Sequence, residues 1–182
     1  MDKVLIVLAN GFEEVEALTV VDLLRRVDLK VTIAGLEKRG YVSGSHDITV
    51  QCDCYYQEIE EKQYDCLILP GGQPGTNNLK SNPRVIEWVK SFYSSNRLIA
   101  AICAAPLVLN EAGILAGKKV TSFPSEEEVF KNSIYLQEAV VQDGNIITSR
   151  GVGTAIEFAL KIVENMKGEE TANQLARRIL WD

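Results

Sequence analysis

Histidine is almost missing from this 182-residue chain, which has His46 and no other. One imidazole cannot build a histidine-rich zinc centre or the two-histidine His-Glu-x-x-His helix of a metalloprotease. Long hydrophobic runs are missing too. The first apolar stretch, Val4 to Ala9, gives way at once to Asn10-Gly11 and then to Glu13, Glu14 and Glu16. That is too short for a membrane span and wrongly flanked for a signal peptide. No segment gathers Lys or Arg among aromatic residues, and a net charge of -6 repels phosphate backbones. Neither nucleic acid nor a membrane is therefore an expected partner. Repeats, low-complexity tracts and linkers are also absent. With 46% hydrophobic and 24% charged residues, the chain reads as one folded domain over residues 1–182, expected in the cytoplasm. Cys52, Cys54, Cys66 and Cys103 are then expected as free thiols.

What the sequence does contain is an alternation of strand-like and helix-like segments. Apolar, β-branched runs recur at Val4-Leu8, Val31-Ala34, Cys66-Leu69, Leu98-Ile102 and Ile146-Thr148. Runs this continuous suit strands buried on both faces of a mainly parallel sheet, with helices covering each side, so the fold class is α/β. Asn82-Pro83 provides a cap and a first-turn proline for a helix over Val85 to Tyr93. Ser125-Glu126-Glu127-Glu128 has the pattern of a capping box. Thr154 is placed to cap a helix from Ala155 to Met166 that stops at Gly168, and a last helix is expected over Thr171 to Ile179. Ile48-Val50 and Ala139-Gln142 read as antiparallel additions, the second turning through Asp143-Gly144-Asn145.

Two strand ends attract chemistry. Leu98-Ile102 runs into Cys103-Ala104-Ala105-Pro106 and a helix stopping at Gly113, which puts Cys103 at a strand-to-helix turn flanked by small residues. A helix N-terminus favours an anion, so a lowered thiol pKa is expected there. Two readings stay equally open on this pattern: a nucleophile on an elbow, or a buried cysteine ending a core strand. Pro70-Gly71-Gly72 ends a neighbouring strand, where glycine lets backbone N–H groups approach a ligand or simply makes a tight turn. In the first helix, residues placed at 100° intervals put Glu16 between Leu23 and Val27, inside the apolar arc with Val20 and Leu24. A carboxylate on that side must find a partner or hold a proton, which makes Glu16 a candidate acid. Glu13 shares the arc but starts the helix, and Glu14 lies at its edge. Gly151-Val152-Gly153-Thr154 lacks the third glycine of a dinucleotide fingerprint, and Cys52-x-Cys54 with His46 lacks a further ligand pair. Neither a cofactor nor a metal is expected, and His46 is expected at the surface or an interface.

Together these segments resemble the ThiJ/PfpI superfamily, in the branch of the Parkinson-disease protein DJ-one and its bacterial relatives. The resemblance runs nearly end to end. It is carried by Gly11-Phe12-Glu13-Glu14-Val15-Glu16, Leu69-Pro70-Gly71-Gly72, Ala100-Ala101-Ile102-Cys103-Ala104-Ala105-Pro106 and Thr148-Ser149-Arg150-Gly151 with Gly153-Thr154. It implies a flavodoxin-like sandwich, usually dimeric. It also implies Cys103 as the reactive thiol, Glu16 as its protonated hydrogen-bond partner, and the N–H groups of Gly72 and Ala104 around an anion pocket. The implied activity is cofactor-free glyoxalase chemistry on small 2-oxoaldehydes such as methylglyoxal, with oxidation of Cys103 in a redox-protective role, or deglycation, as alternatives. One departure stands out: the Parkinson-disease protein has a histidine near its cysteine, where Thr121-Ser122-Phe123-Pro124 supplies Phe123. Protease-like members place a histidine directly after the cysteine, where this chain has Ala104, and amidotransferase domains need one downstream, where none follows His46.

Overall fold

The apolar runs become the strands of one sheet, and the alternation of their side chains fills two cores. The computed structural model describes residues 3–38 and 40–181. In chain order, β1 (Lys3–Leu8), α1 (Glu14–Arg25) and β2 (Lys30–Gly35) are followed by the short strands β3 (Tyr41–Ser43), β4 (Thr49–Gln51) and β5 (Cys54–Tyr55). Then come β6 (Cys66–Leu69), α2 (Gly75–Lys80), α3 (Pro83–Ser94), β7 (Leu98–Ile102) and α4 (Pro106–Glu111). The chain continues through β8 (Lys119–Val120), β9 (Ile134–Tyr135), β10 (Val140–Asp143), β11 (Ile146–Ser149), α5 (Ala155–Lys167) and α6 (Glu169–Arg178).

The seven-stranded sheet has the order β10-β11-β7-β6-β1-β2-β5. Every pairing in it is parallel except β10 with β11. Val4, Ile6 and Leu8 of β1 face one core with Val20 and Leu24 of α1 and Phe158 and Ile162 of α5. Leu5 and Val7 face the other, with Val85, Val89 and Phe92 of α3 and Val108 of α4. This is the flavodoxin-like α/β arrangement, helices on both faces of a mainly parallel sheet. Among the described residues no helix is long and apolar enough to cross a membrane.

The local signals mostly act as their chemistry dictates. Asn82 Oδ1 accepts from Arg84 N at 3.0 Å and Val85 N at 3.3 Å, closing two of the four donors that a helix start leaves open. Asn82→Ala is expected to cost about 1 kcal/mol in urea unfolding. Asn82→Asp should recover most of it, and equal losses in the two variants would show that the cap does not stabilise α3. The capping box at Ser125 does not form an α-helix. Pro124–Phe130 is a 3-10 helix, because Ser125 Oγ donates to the Glu126 side chain at 3.0 Å instead of accepting from the backbone. Thr154 likewise makes no side-chain cap on α5, its hydroxyl being engaged by Gly151 and Ser149.

Candidate active site

Parallel register puts the carboxyl ends of β1, β6 and β7 side by side, with Ile6 opposite Ile68 and Ile68 opposite Ala100. The loops leaving these three strands therefore meet at one edge of the sheet. Cys103, just past β7, has φ +65°, a left-handed conformation that costs a side-chain-bearing residue about 1–2 kcal/mol. The strain is held on both sides: Cys103 N donates to Ser149 O at 2.9 Å, and Phe123 N donates to Cys103 O at 2.8 Å. Ala101, Ala104 and Ala105 are buried around the bend. This is the sharp strand-to-helix turn of a nucleophile elbow.

The loop after β6 has no room for side chains. A Cβ on Gly71 would lie 2.6 Å from Cys103 Cβ and 2.7 Å from Glu16 Oε2. Gly72 has φ +91°, and its Cβ would lie 2.4 Å from Glu13 N. Bare backbone allows Gly71 O to accept from Glu13 N at 2.8 Å, which pins the start of α1 to this loop and brings Glu16 beside the thiol. Glu16 is fully buried. Its Oε2 accepts from Gly71 N at 2.9 Å, while Oε1 has no partner in hydrogen-bond geometry among the described residues. Oε1 and Cys103 Sγ both come within 3.9 Å of where a Gly151 Cβ would stand, so the free carboxyl oxygen and the sulfur face the same spot.

Burial pushes the Glu16 carboxyl up to about 7, with the Glu13 charge adding to it, against the neighbouring Cys103 thiol and the Gly71 N–H, which pull it down. Burial, then the charge and contact of Glu16, push the Cys103 thiol up to about 12, while the N–H groups of Ala104 and Gly72 aimed at the sulfur pull it down. The expected lowering of the thiol pKa is thus overturned. α4 has six residues and begins at Pro106, three positions beyond the cysteine, so its dipole is weak at the sulfur, and desolvation beside a carboxylate outweighs it. Glu16 and Cys103 titrate as a pair, and the pocket holds one negative charge far more readily than two.

A cavity of about 610 Å³ opens over the pair, lined also by Phe123, Arg150 and Val152. Phe123, 47% exposed, contributes an apolar ring to its lining. Arg150 and Val152 were not singled out as site residues, since nothing local to them marks the pocket they meet. His46 does not line this cavity and pairs with Glu14, which is buried although its wheel position put it at the edge of the apolar arc. Burial would raise the Glu14 carboxyl, but hydrogen bonds from backbone N–H groups and from His46 hold it down at about 2.

A cysteine on a strand-to-helix turn, beside a buried carboxyl and between two backbone donors, sits at the carboxyl edge of a flavodoxin-like sheet. The DJ-1/PfpI family model matches residues 2–165, and the chain belongs to that family. It is 42% identical over 178 residues to Protein dj-1beta of Drosophila melanogaster, covering 97% of this chain and 95% of the relative. It is 36% identical over 166 residues to the glutathione-independent glyoxalase DJR-1.2 of Caenorhabditis elegans, covering 91% of this chain and 88% of that one. The crystal structure of Drosophila melanogaster DJ-1beta superposes with a TM-score of 0.96 at 41% identity, over 100% of this chain and 98% of the other.

The other thiols differ from Cys103 in their surroundings, and two of them in exposure. Cys52 and Cys66 are buried, and burial raises Cys52 to about 11 and Cys66 further still. Cys54 is half-buried and raised by burial and by nearby carboxylates. Iodoacetamide at pH 7.5 is expected to alkylate Cys103 first, read by peptide mass, because among the described residues backbone donors and a proton acceptor face the sulfur there and not at the other thiols. Equal rates at Cys54 would refute this.

Proposed function

We propose that the protein is a glutathione-independent glyoxalase, converting small 2-oxoaldehydes such as methylglyoxal to 2-hydroxy acids without a cofactor. The observation that carries this reading is that Cys103 Sγ and the unpartnered Oε1 of Glu16 face the same spot, with the N–H groups of Gly72 and Ala104 at the sulfur. Cys103 attacks the aldehyde carbon as its proton passes to the Glu16 carboxylate. The oxyanion that forms accepts from Gly72 and Ala104 N–H and then takes the proton back from Glu16, giving a hemithioacetal. Glu16 next removes the proton from the former aldehyde carbon and returns it to the neighbouring carbon through an enediol, while the hydroxyl proton of the hemithioacetal passes to the neighbouring ketone oxygen, leaving a 2-hydroxy thioester. Water hydrolyses the thioester, releasing the 2-hydroxy acid and the thiol. Lactate appearing from methylglyoxal in glutathione-free buffer, followed by proton NMR, tests the reading; its absence rejects it. The relative named a glutathione-independent glyoxalase supports the same chemistry.

A second reading uses the same residues: two equivalents of peroxide oxidise Cys103 through the sulfenic acid to a sulfinate, with water released at each step, and the sulfinate accepts a hydrogen bond from protonated Glu16. A neighbour described as oxidized Toxoplasma gondii DJ-1, with TM-score 0.96 and 34% identity, favours keeping it. The assembly we propose is a homodimer. Val15 and Leu18 are exposed apolar residues on the outer face of α1, at 46% and 36%, and a two-fold contact there would cover them. Light scattering at micromolar concentration is expected to give twice the chain mass, and the monomer mass would reject the dimer.

A further inference from the structure

The first turn of α1 meets a loop more than thirty residues away in sequence. Gly44 makes the approach possible, since a Cβ there would stand 2.2 Å from the Glu14 carboxyl. Ser45 N donates to Phe12 O at 2.8 Å and fastens the loop in place. Glu14 is held rigidly as a result: its Oε1 accepts from His46 N at 2.7 Å and, more weakly, from Ile48 N at 3.4 Å. Its Oε2 is turned toward the imidazole, 3.0 Å from Nδ1. Glu13 Oε2 lies 3.6 Å from the same nitrogen. Ser45 Oγ stands 3.1 Å from Nδ1, 3.2 Å from Glu13 Oε2 and 3.3 Å from Glu14 Oε2.

These separations match the edges of a small tetrahedron. Zinc bonds of about 2.0 Å to nitrogen and oxygen set neighbouring ligands about 3.3 Å apart. The Glu13, Glu14 and His46 donor atoms all fall within 4.8 Å of one another. The Ser45 hydroxyl marks the fourth corner, which it or a water would fill. The two backbone N–H groups on Glu14 Oε1 are the outer contacts that orient a ligating carboxylate. His46 has a side chain 70% exposed, so an ion has a way in.

We propose that Glu13, Glu14 and His46 form a binding site for one divalent ion of the zinc class, at the rim of the Cys103 pocket. One imidazole nitrogen and two carboxylate oxygens suit zinc, and the two negative charges offset the ion's own. The proton between Nδ1 and Glu14 leaves to solvent as the ion binds. None of its ligands takes or returns a proton in the proposed activity, although Glu13 also lines the Cys103 cavity.

The single imidazole makes the test direct. Zinc chloride is titrated into the full-length protein at pH 7.5 while ring proton–nitrogen correlations are recorded. The ring signals of His46 are expected to move and saturate at one equivalent. Glu14→Gln keeps the oxygen that accepts from the loop backbone but replaces Oε2 with an amide, and should weaken apparent affinity about tenfold or more. Glu13→Gln should do the same, and it gives an answer even if the buried substitution fails to fold. Zinc captured only by cysteines leaves the ring signals in place. Unmoved ring signals at tenfold excess zinc would overturn the proposal, as would the wild-type midpoint in a folded Glu14→Gln or Glu13→Gln protein.

Discussion

Cys103→Ser is expected to lose lactate formation from methylglyoxal on the order of a thousandfold or more, with the fold intact. The exchange of sulfur for oxygen removes little volume, so the elbow, held through Cys103 N and O, keeps its two backbone hydrogen bonds. What disappears is nucleophilicity: a serine hydroxyl beside a carboxyl of pKa about 7 is deprotonated far less readily than a thiol. Proton NMR of product together with circular dichroism of both proteins decides the matter. Activity above about a tenth of wild type would mean that the aldehyde is not attacked by this sulfur. The wild-type pH profile adds a second check. The thiol needs the Glu16 carboxylate to take its proton, so kcat/KM should fall about tenfold per unit as pH drops below about 7.

Glu16→Gln should give up turnover and gain stability in the same molecule. Proton transfer by a positioned group typically supplies about a hundred- to ten-thousand-fold, and an amide cannot accept and return a proton. For stability the sign follows from the direction of the shift. The folded-state pKa of about 7 exceeds the ordinary value of 4.5, so the folded protein binds the extra proton and is most stable below about 4.5. That contribution is lost as pH rises through 7, and the cost of burying the charge is complete near pH 8. A shift from 4.5 to about 7 corresponds to about 3 kcal/mol. Glutamine still accepts from Gly71 N–H and carries no charge. Urea unfolding at pH 8 should therefore show the variant more stable by up to about 3 kcal/mol, with the gap closing toward pH 5. A gap of equal size at both pH values would place its origin in packing and not in the buried charge. If the folded variant keeps wild-type turnover, acid-base chemistry at Glu16 is wrong. Oxidation of its Cys103 by peroxide would then favour the redox reading.

The strands were legible because burial on both faces leaves an unbroken apolar run: Cys66–Leu69 and Leu98–Ile102 begin and end where their sequences imply. Glu16 was legible because a helix maps sequence spacing onto direction, and a carboxylate in the apolar arc has nowhere to go but inward. The partnership of Glu14 with His46 was not. It depends on a loop folding back over the helix start, and no spacing within either segment encodes that approach. Arg150 reaches the pocket through the turn that follows β11, where nothing in its own segment marks the cavity. The short pairs β3–β4 and β8–β9 carry two or three residues per strand, too few for a period to show. At Cys103 the expectation had the wrong sign: the sequence displays the helix start, which lowers a thiol, but not the depth of burial or the charge facing the sulfur, which raise it further.

Cys66 lies in the middle of the sheet, fully buried on a strand flanked by β1 and β7. Reagents reach it only when those central strands part, whereas Cys103 meets them through its own pocket. The chain thus carries two clocks: alkylation of Cys103 runs on the chemistry of the folded state, and alkylation of Cys66 runs on the lifetime of that state. Their ratio, followed in one sample, counts how often the molecule opens.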